Sequence, residues 1–340
     1  MRSVGARPLL LVLRALGLGD LLTGVPALRA LRAAFPEHRL VLAAPRALAP
    51  LAKLTGAVDA VADAAPLTPL DASVTEAEVA VNLHGRGPQS HRVLLATRPR
   101  RTVAFEHDEI SSSRGGPEWH ADEHETERWC RLLTQSGIPA DPGRLDLPLP
   151  APGTAPLAPV EAARGATLVH PGAASGARRW PADRYAAVAR AERERGARVV
   201  VTGSRSEVEL AREVARSAGL SQSAVVAGRG DMVTLAATVG AAARVVCGDT
   251  GVAHLATALG TPSVVLFGPT SPELWGPPPG RRHRHRPLWA GRTGDPHADE
   301  PDPGLLELEV GDVIAALSEL PEGEGSTRAY AAGSPPAAAI

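Results

Sequence analysis

The 340-residue chain carries 36 Lys and Arg against 37 Asp and Glu, a formal net charge of −1 that lacks the basic footprint of a general nucleic-acid binder. Hydrophobic residues make up 44% and aromatics 3%, enough for two sizeable cores built from aliphatic side chains. Two cysteines, Cys130 and Cys247, provide no disulfide framework, and no paired-cysteine spacing suggests structural zinc.

Lys53 is the only lysine, so arginine supplies nearly all of the positive charge. Arg2 and Arg7 precede an apolar run, as in a signal peptide, but Arg14 ends that run after residues 8–13 and no small-residue cleavage site follows. No run of about 18 uncharged apolar residues could span a bilayer. The expectation is a cytoplasmic protein, with peripheral association at the inner membrane face as a secondary one. The oligomeric state stays open.

The chain opens as strand, turn, helix. Residues 9–13 form a continuous apolar run, as in a buried parallel strand. Gly17 and Gly19 make the turn, and Leu21, Leu22, Val25, Leu28 and Leu31 follow with helical spacing up to Pro36. Strands are predicted at 39–43, 79–83 and 101–105, with a polar turn at 84–90 and a helix at 123–136. Seven prolines between 139 and 159 cannot continue a helix or a central strand, so 139–160 reads as a linker.

Beyond the linker the spacing predicts strands at 166–170, 198–202, 224–227, 244–247 and 263–267. Helices are predicted at 182–195, 206–217, 231–241 and 252–259. This alternation implies a parallel sheet covered by helices. Residues 280–304 read as a long loop, 305–320 as a last helix, and 321–340 as a disordered tail. The division is thus 1–138, linker 139–160, 161–320 and tail. Two such domains would face each other across a cleft at the carboxyl ends of their strands.

Four segments sit where ligands of such sheets bind. The first, LGLGDLLTGVP from Leu16, places Gly19 and Asp20 at a helix start. It lacks the third glycine of the dinucleotide fingerprint. Asp20 can cap the helix or act as a general base in the cleft, and both can hold together. The second, HPGAASGARRWP from His170, offers small residues, Ser175 and the forked donors of Arg178 and Arg179 to a phosphate. The third, CGDTGVAHL from Cys247, sets Asp249, Thr250, Gly251 and His254 at a helix N-terminus suited to a phosphate or ribose. In the fourth, Gly268 and Pro269 turn the chain after a buried strand. On the N-terminal side, Asn82, His84 and Arg86 occupy the turn after a strand.

Together these segments resemble the heptosyltransferase family of glycosyltransferases, most strongly across 170–277. The DTGxxHLxxALGxPxxxLFGPT pattern over 249–270 and the opening LGDLLTGVPALRALRAAFP carry the resemblance. It implies a GT-B architecture: two Rossmann-like parallel-sheet α/β domains, acceptor-binding first and donor-binding second. It also implies metal-independent, inverting transfer of a heptose or similar sugar from a nucleotide diphosphate, ADP-linked by preference, to a cell-envelope glycan or glycolipid. The nucleotide sugar is a substrate, and no cofactor is expected. In this resemblance Asp20 matches the proposed base, and Arg178 stands where relatives carry a lysine on the donor phosphates. Glu207 matches an acid near the nucleoside, and Asp249, Thr250, Gly251 and His254 match the diphosphate loop. Gly19, Asn82, His84 and Arg86 are acceptor-side candidates. The basic acceptor residues of the lipopolysaccharide enzymes have no clear counterpart. A nucleotide-sugar epimerase of GT-B-like fold and a non-catalytic nucleotide-sugar-binding protein are the rival readings.

Overall fold

A computed structural model describes residues 7–321. Arg2 and, apart from Pro321, the expected tail lie outside the described residues. The first half runs β1 (Leu9–Leu13), α1 (Leu18–Thr23), α2 (Val25–Ala34), β2 (Arg39–Ala44), α3 (Ala49–Leu54), β3 (Ala60–Asp63), β4 (Val79–Asn82), α4 (Gln89–Leu95), β5 (Arg101–Val103) and α5 (Glu125–Gln135). The second runs α6 (Leu157–Ala163), β6 (Thr167–His170), α7 (Ala182–Glu194), β7 (Val199–Val201), α8 (Val208–Ser217), α9 (Met232–Ala241), β8 (Arg244–Gly248) and α10 (Gly251–Leu259). It closes with β9 (Ser263–Phe267), α11 (Pro272–Trp275), β10 (His285–Trp289), α12 (Pro303–Glu307) and α13 (Val310–Ser318).

The strands form two five-stranded sheets, ordered β3-β2-β1-β4-β5 and β10-β9-β8-β6-β7. Every pairing is parallel. The strand order reverses between β1 and β4 in one sheet and between β6 and β8 in the other. At such switch points the following loops diverge and open a crevice at the carboxyl ends of the strands. Leu13 pairs with Asn82 and His170 with Cys247, so the loops after β1, β4, β6 and β8 leave the sheets there. One cluster of buried side chains runs from Leu10 and Leu28 to Val252 and Leu255, joining the two halves through aliphatic contact.

Four expectations change. The helix expected through 21–32 breaks at Gly24 into α1 and α2, with Pro26 at the start of α2, where a missing N–H costs nothing. Residues 224–227 pair with β7 only through an isolated Val201–Val225 bridge, because the chain enters from a 3-10 turn and leaves at Gly228, φ +71°. The expected loop 280–304 contains β10, an edge strand whose His285, Arg286 and Pro287 hide it from an apolar-run search; Pro is tolerated at an edge. The expected helix 305–320 is split into α12 and α13. The proline-rich stretch leads into α6 at Leu157, and its residues 144–147 are gripped from both sides. Arg29 donates to the carbonyls of Arg144 and Asp146 at 2.7 and 2.6 Å, and Arg281 pairs with the Asp146 carboxylate at 2.8 Å.

Candidate functional site

The loop after β1 and the loop after β8 meet face to face. A Cβ at Gly19 would lie 2.8 Å from Cδ2 of His254, and one at Gly251 would lie 2.7 Å from Cβ of Leu18. Glycine is needed at both points because α1 and α10 approach too closely for a side chain. This contact sets α1, which carries Asp20, against the start of α10, which follows Asp249 and Thr250.

Asp20 is the third residue of α1, with Gly17 at the cap position. Its Oδ2 accepts the Gly17 N–H at 3.1 Å, and its Oδ1 lies 3.8 Å from Arg14 Nη2. One carboxylate oxygen therefore closes the helix start while the other is turned elsewhere. The side chain keeps 25% of its surface exposed. Burial lifts the carboxyl above the ordinary range and Glu125 adds to this, against the pull of Arg14 and the Gly17 N–H.

Beneath Asp20 lies a buried network that the sequence reading missed. Arg14, 1% exposed, donates to the carbonyls of Asp20 and Leu83, to Thr23 Oγ1 at 2.9 Å and to Glu125 Oε1 at 3.1 Å. Its guanidinium lies 4.9 Å from the Trp129 ring centroid. Glu125 also accepts from Trp129 Nε1 at 2.8 Å and from Arg128. The available sequence signal was a charge set directly after an apolar strand at Arg14.

The other N-terminal candidates divide by role. Asn82 is fully buried, and its amide is engaged by Ser90 Oγ at 3.0 Å and by His84 N–H at 2.9 Å, so it shapes the turn and does not face the crevice. His84 Nδ1 accepts the Ala15 N–H at 3.1 Å, which leaves the proton on Nε2. Burial and Arg14 push the ring pKa down to about 4. Arg86 is exposed.

On the second sheet, Arg178 Nη1 reaches the Asp249 carbonyl at 3.4 Å, and its Nε is buried without a partner. The Thr250 hydroxyl, beside the Cys247 thiol, and His170 Nδ1 are likewise buried and unpartnered. Asp249 is 6% exposed, and burial pushes its carboxyl up to about 6 against the opposing pull of Arg178. His254 packs edge-on to Trp275, ring centroids 6.0 Å apart, and burial, helped by His124, pushes it down to about 4. A cavity of about 250 Å³ opens beside this loop, lined by Leu18, His170, Glu207, Met232, Thr250 and Gly251 among others. Glu207 accepts the Ser204 N–H at 2.7 Å, and Gly172 lies flat against its carboxylate. His170 and Met232 were outside the residues singled out in the sequence.

The remaining donor-side candidates are used by the protein. Ser175 Oγ donates to the Ala298 carbonyl at 2.9 Å and Arg179 Nε to the Ala173 carbonyl at 2.9 Å. Gly268 and Pro269 accept from Trp289 Nε1 and the Gly294 N–H, both at 3.0 Å. Ser175, Gly268 and Pro269 hold the 289–302 segment against the loops after β6 and β9, and Arg179 braces the loop after β6 itself. Among the described residues, no group of three or more His, Cys, Asp or Glu could hold a metal ion, and no helix is long and apolar enough to cross a membrane.

The model for glycosyltransferase family 9 (heptosyltransferase) matches residues 113–292, more than half of the chain. The chain belongs to glycosyltransferase family 9. Among its relatives, lipopolysaccharide heptosyltransferase 2 of Salmonella typhimurium is 32% identical over 163 residues, 46% of each chain. The match spans less than half the length of each curated relative found. In fold, the family 9 glycosyl transferase of Veillonella parvula superposes with a TM-score of 0.73 at 19% identity, covering 92% of this chain and 97% of that one. E. coli heptosyltransferase WaaC with ADP gives 0.66 at 18%, covering 91% and 97%. These confirm the GT-B architecture, and the family match spans the loops after β6 and β8.

Proposed function

We propose that the protein is an inverting, metal-independent glycosyltransferase that moves a heptose or similar sugar from an ADP-linked donor to a glycan or glycolipid acceptor. The observation carrying this reading is the close approach of α1, which carries Asp20, a carboxylate lifted by burial, to the N-terminus of α10, where a cavity of about 250 Å³ opens beside unpaired polar groups. The donor diphosphate would lie over the Thr250 and Gly251 N–H groups, where the helix dipole favours negative charge. Arg178 would complete the cradle. Glu207 would meet the ribose and Met232 the base, since both line the cavity beside this loop. The relative crystallised with ADP supports the choice of nucleotide.

In the reaction, Asp20 takes the proton of the acceptor hydroxyl as that oxygen bonds to the anomeric carbon. The bond from that carbon to the diphosphate oxygen breaks, and its electron pair leaves with the diphosphate. Arg178 and the α10 amides stabilise the charge that develops there. Arginine holds its proton throughout, so the leaving group departs as an anion.

Calorimetry with ADP, GDP and UDP in EDTA tests the donor reading: ADP binds best and without metal. Binding that appears only with magnesium contradicts it. The anomeric configuration of the product, read by NMR against that of the donor, tests inversion. Mass spectrometry of surface glycans from a deletion strain identifies the acceptor.

A further inference from the structure

We infer that Glu125 is a positioning residue that sets the basicity of Asp20 through Arg14, across 111 residues of sequence. This deepens the proposed function and rests on it. Arg14 Nη2 lies 3.1 Å from Glu125 Oε1 and 3.8 Å from Asp20 Oδ1, so one guanidinium nitrogen serves both carboxylates. The two oxygens therefore lie within about 7 Å of each other, inside the range where charges couple strongly away from bulk water. Arg14 and Glu125 are nearly inaccessible, at 1% and 4% exposure, so neither contacts substrate.

The arrangement does two things. It fixes the backbone: Arg14 ties the Asp20 carbonyl in α1 to the Leu83 carbonyl after β4, and Thr23 braces the same guanidinium. It also balances charge. Alone, Arg14 would stabilise the Asp20 carboxylate and make it a weak base. Glu125 takes up much of that positive charge, and Arg128 and the Trp129 N–H hold Glu125 ionised, against the burial that opposes it. The other groups around Asp20 contribute little charge: His254, under Gly19, and His84, on the Ala15 amide, are both neutral near pH 7.

Two substitutions move Asp20 in opposite directions. Glu125→Gln keeps the shape and removes the negative charge, so Arg14 acts on Asp20 undiluted and its titration moves to lower pH. Arg128→Gln removes the positive charge behind Glu125, while Arg14, the stronger of its two cation partners, keeps it ionised, so the Asp20 titration moves to higher pH. A loss of packing alone would shift both the same way. The readout is the carboxyl-carbon NMR titration of Asp20 in protein labelled at aspartate carboxyls, with the signal assigned by its disappearance in Asp20→Asn. It needs no acceptor and no turnover, so it stands or falls apart from the transferase reading. Transfer by the same variants then tests that reading: the acid limb of the rate profile follows the NMR shifts, and kcat falls several-fold in Glu125→Gln with ADP affinity unchanged. Should Glu125→Gln not fold, the upward shift in Arg128→Gln decides. An unmoved Asp20 titration in a folded variant, or shifts of the same sign in both, overturns the inference.

Discussion

The two sides of the crevice satisfy their charges in opposite ways. Around Asp20 the protein supplies nearly every partner: Arg14 alone bonds two carbonyls, a hydroxyl and a carboxylate, all within the N-terminal half. Around Asp249 it leaves Arg178 Nε, the Thr250 hydroxyl and His170 Nδ1 buried and unmet. Buried polar groups normally find partners, and those left without one are costly. The difference teaches that the first side is satisfied within the protein, whereas the second keeps polar groups unmet, as the proposed anionic donor would require.

Equivalent substitutions on the two sides sharpen this contrast. Arg14→Met leaves Glu125 with only Arg128 and the Trp129 N–H and strips two buried carbonyls of their donor, and a broken buried pair costs roughly 3–5 kcal/mol, so thermal unfolding shows a large loss of Tm. Arg178→Met removes the cation beside Asp249, but that carboxyl, already pushed up to about 6 by burial, can take up a proton, so the loss of Tm is smaller. An equal loss of stability in the two variants would erase the distinction.

Asp249 gives a pH-dependent version. Its pKa rises from 3.8 unfolded to about 6 folded, so its stabilising contribution is present below pH 4 and is lost as pH rises through 6. Asp249→Asn removes that loss. Without ligand the variant is more stable than wild type at pH 8 by up to about 3 kcal/mol, at roughly 1.4 kcal/mol per pH unit, and the gap closes below pH 4. Urea titrations at pH 4, 6 and 8 check this, and a gap independent of pH would contradict it. The smallest effect is on affinity: Arg178→Ala weakens ADP binding at least tenfold, about 1.4 kcal/mol, by calorimetry.

The contrast also explains what the sequence could reveal. The donor side is legible because its residues are contiguous: each loop follows an apolar strand and opens a helix, so Asp249, Thr250 and Gly251 announce their place locally. The network under Asp20 joins positions 14, 83 and 125, and no local pattern records a pairing across 111 residues. Arg14 stood out only as the charge ending an apolar run. β10 escaped for a related reason, since an edge strand can carry His285, Arg286 and Pro287 while its neighbour β9 supplies the apolar face. Ser175, Gly268 and Pro269 fit a ligand-facing pattern, yet they bind the distant 289–302 segment, which a reading of single loops does not see.

The proposed division into two domains predicts that nucleotide draws the halves together and protects 139–160 from limited proteolysis. The grip of Arg29 and Arg281 on residues 144–147 already favours cuts nearer the exposed residues 151–154.

The most direct test of the account is Asp20→Asn, measured for kcat, ADP affinity and Tm together. From the third position of α1 the Asn side-chain oxygen can still accept the Gly17 N–H at the cap, so Tm changes little. It cannot take up the acceptor proton, and a general base contributes ~10²–10⁴-fold, so kcat falls by that much while ADP affinity holds. Near-normal kcat in the folded variant would contradict the claim that Asp20 is the base. Lost ADP binding at unchanged Tm would instead place Asp20 among the donor contacts.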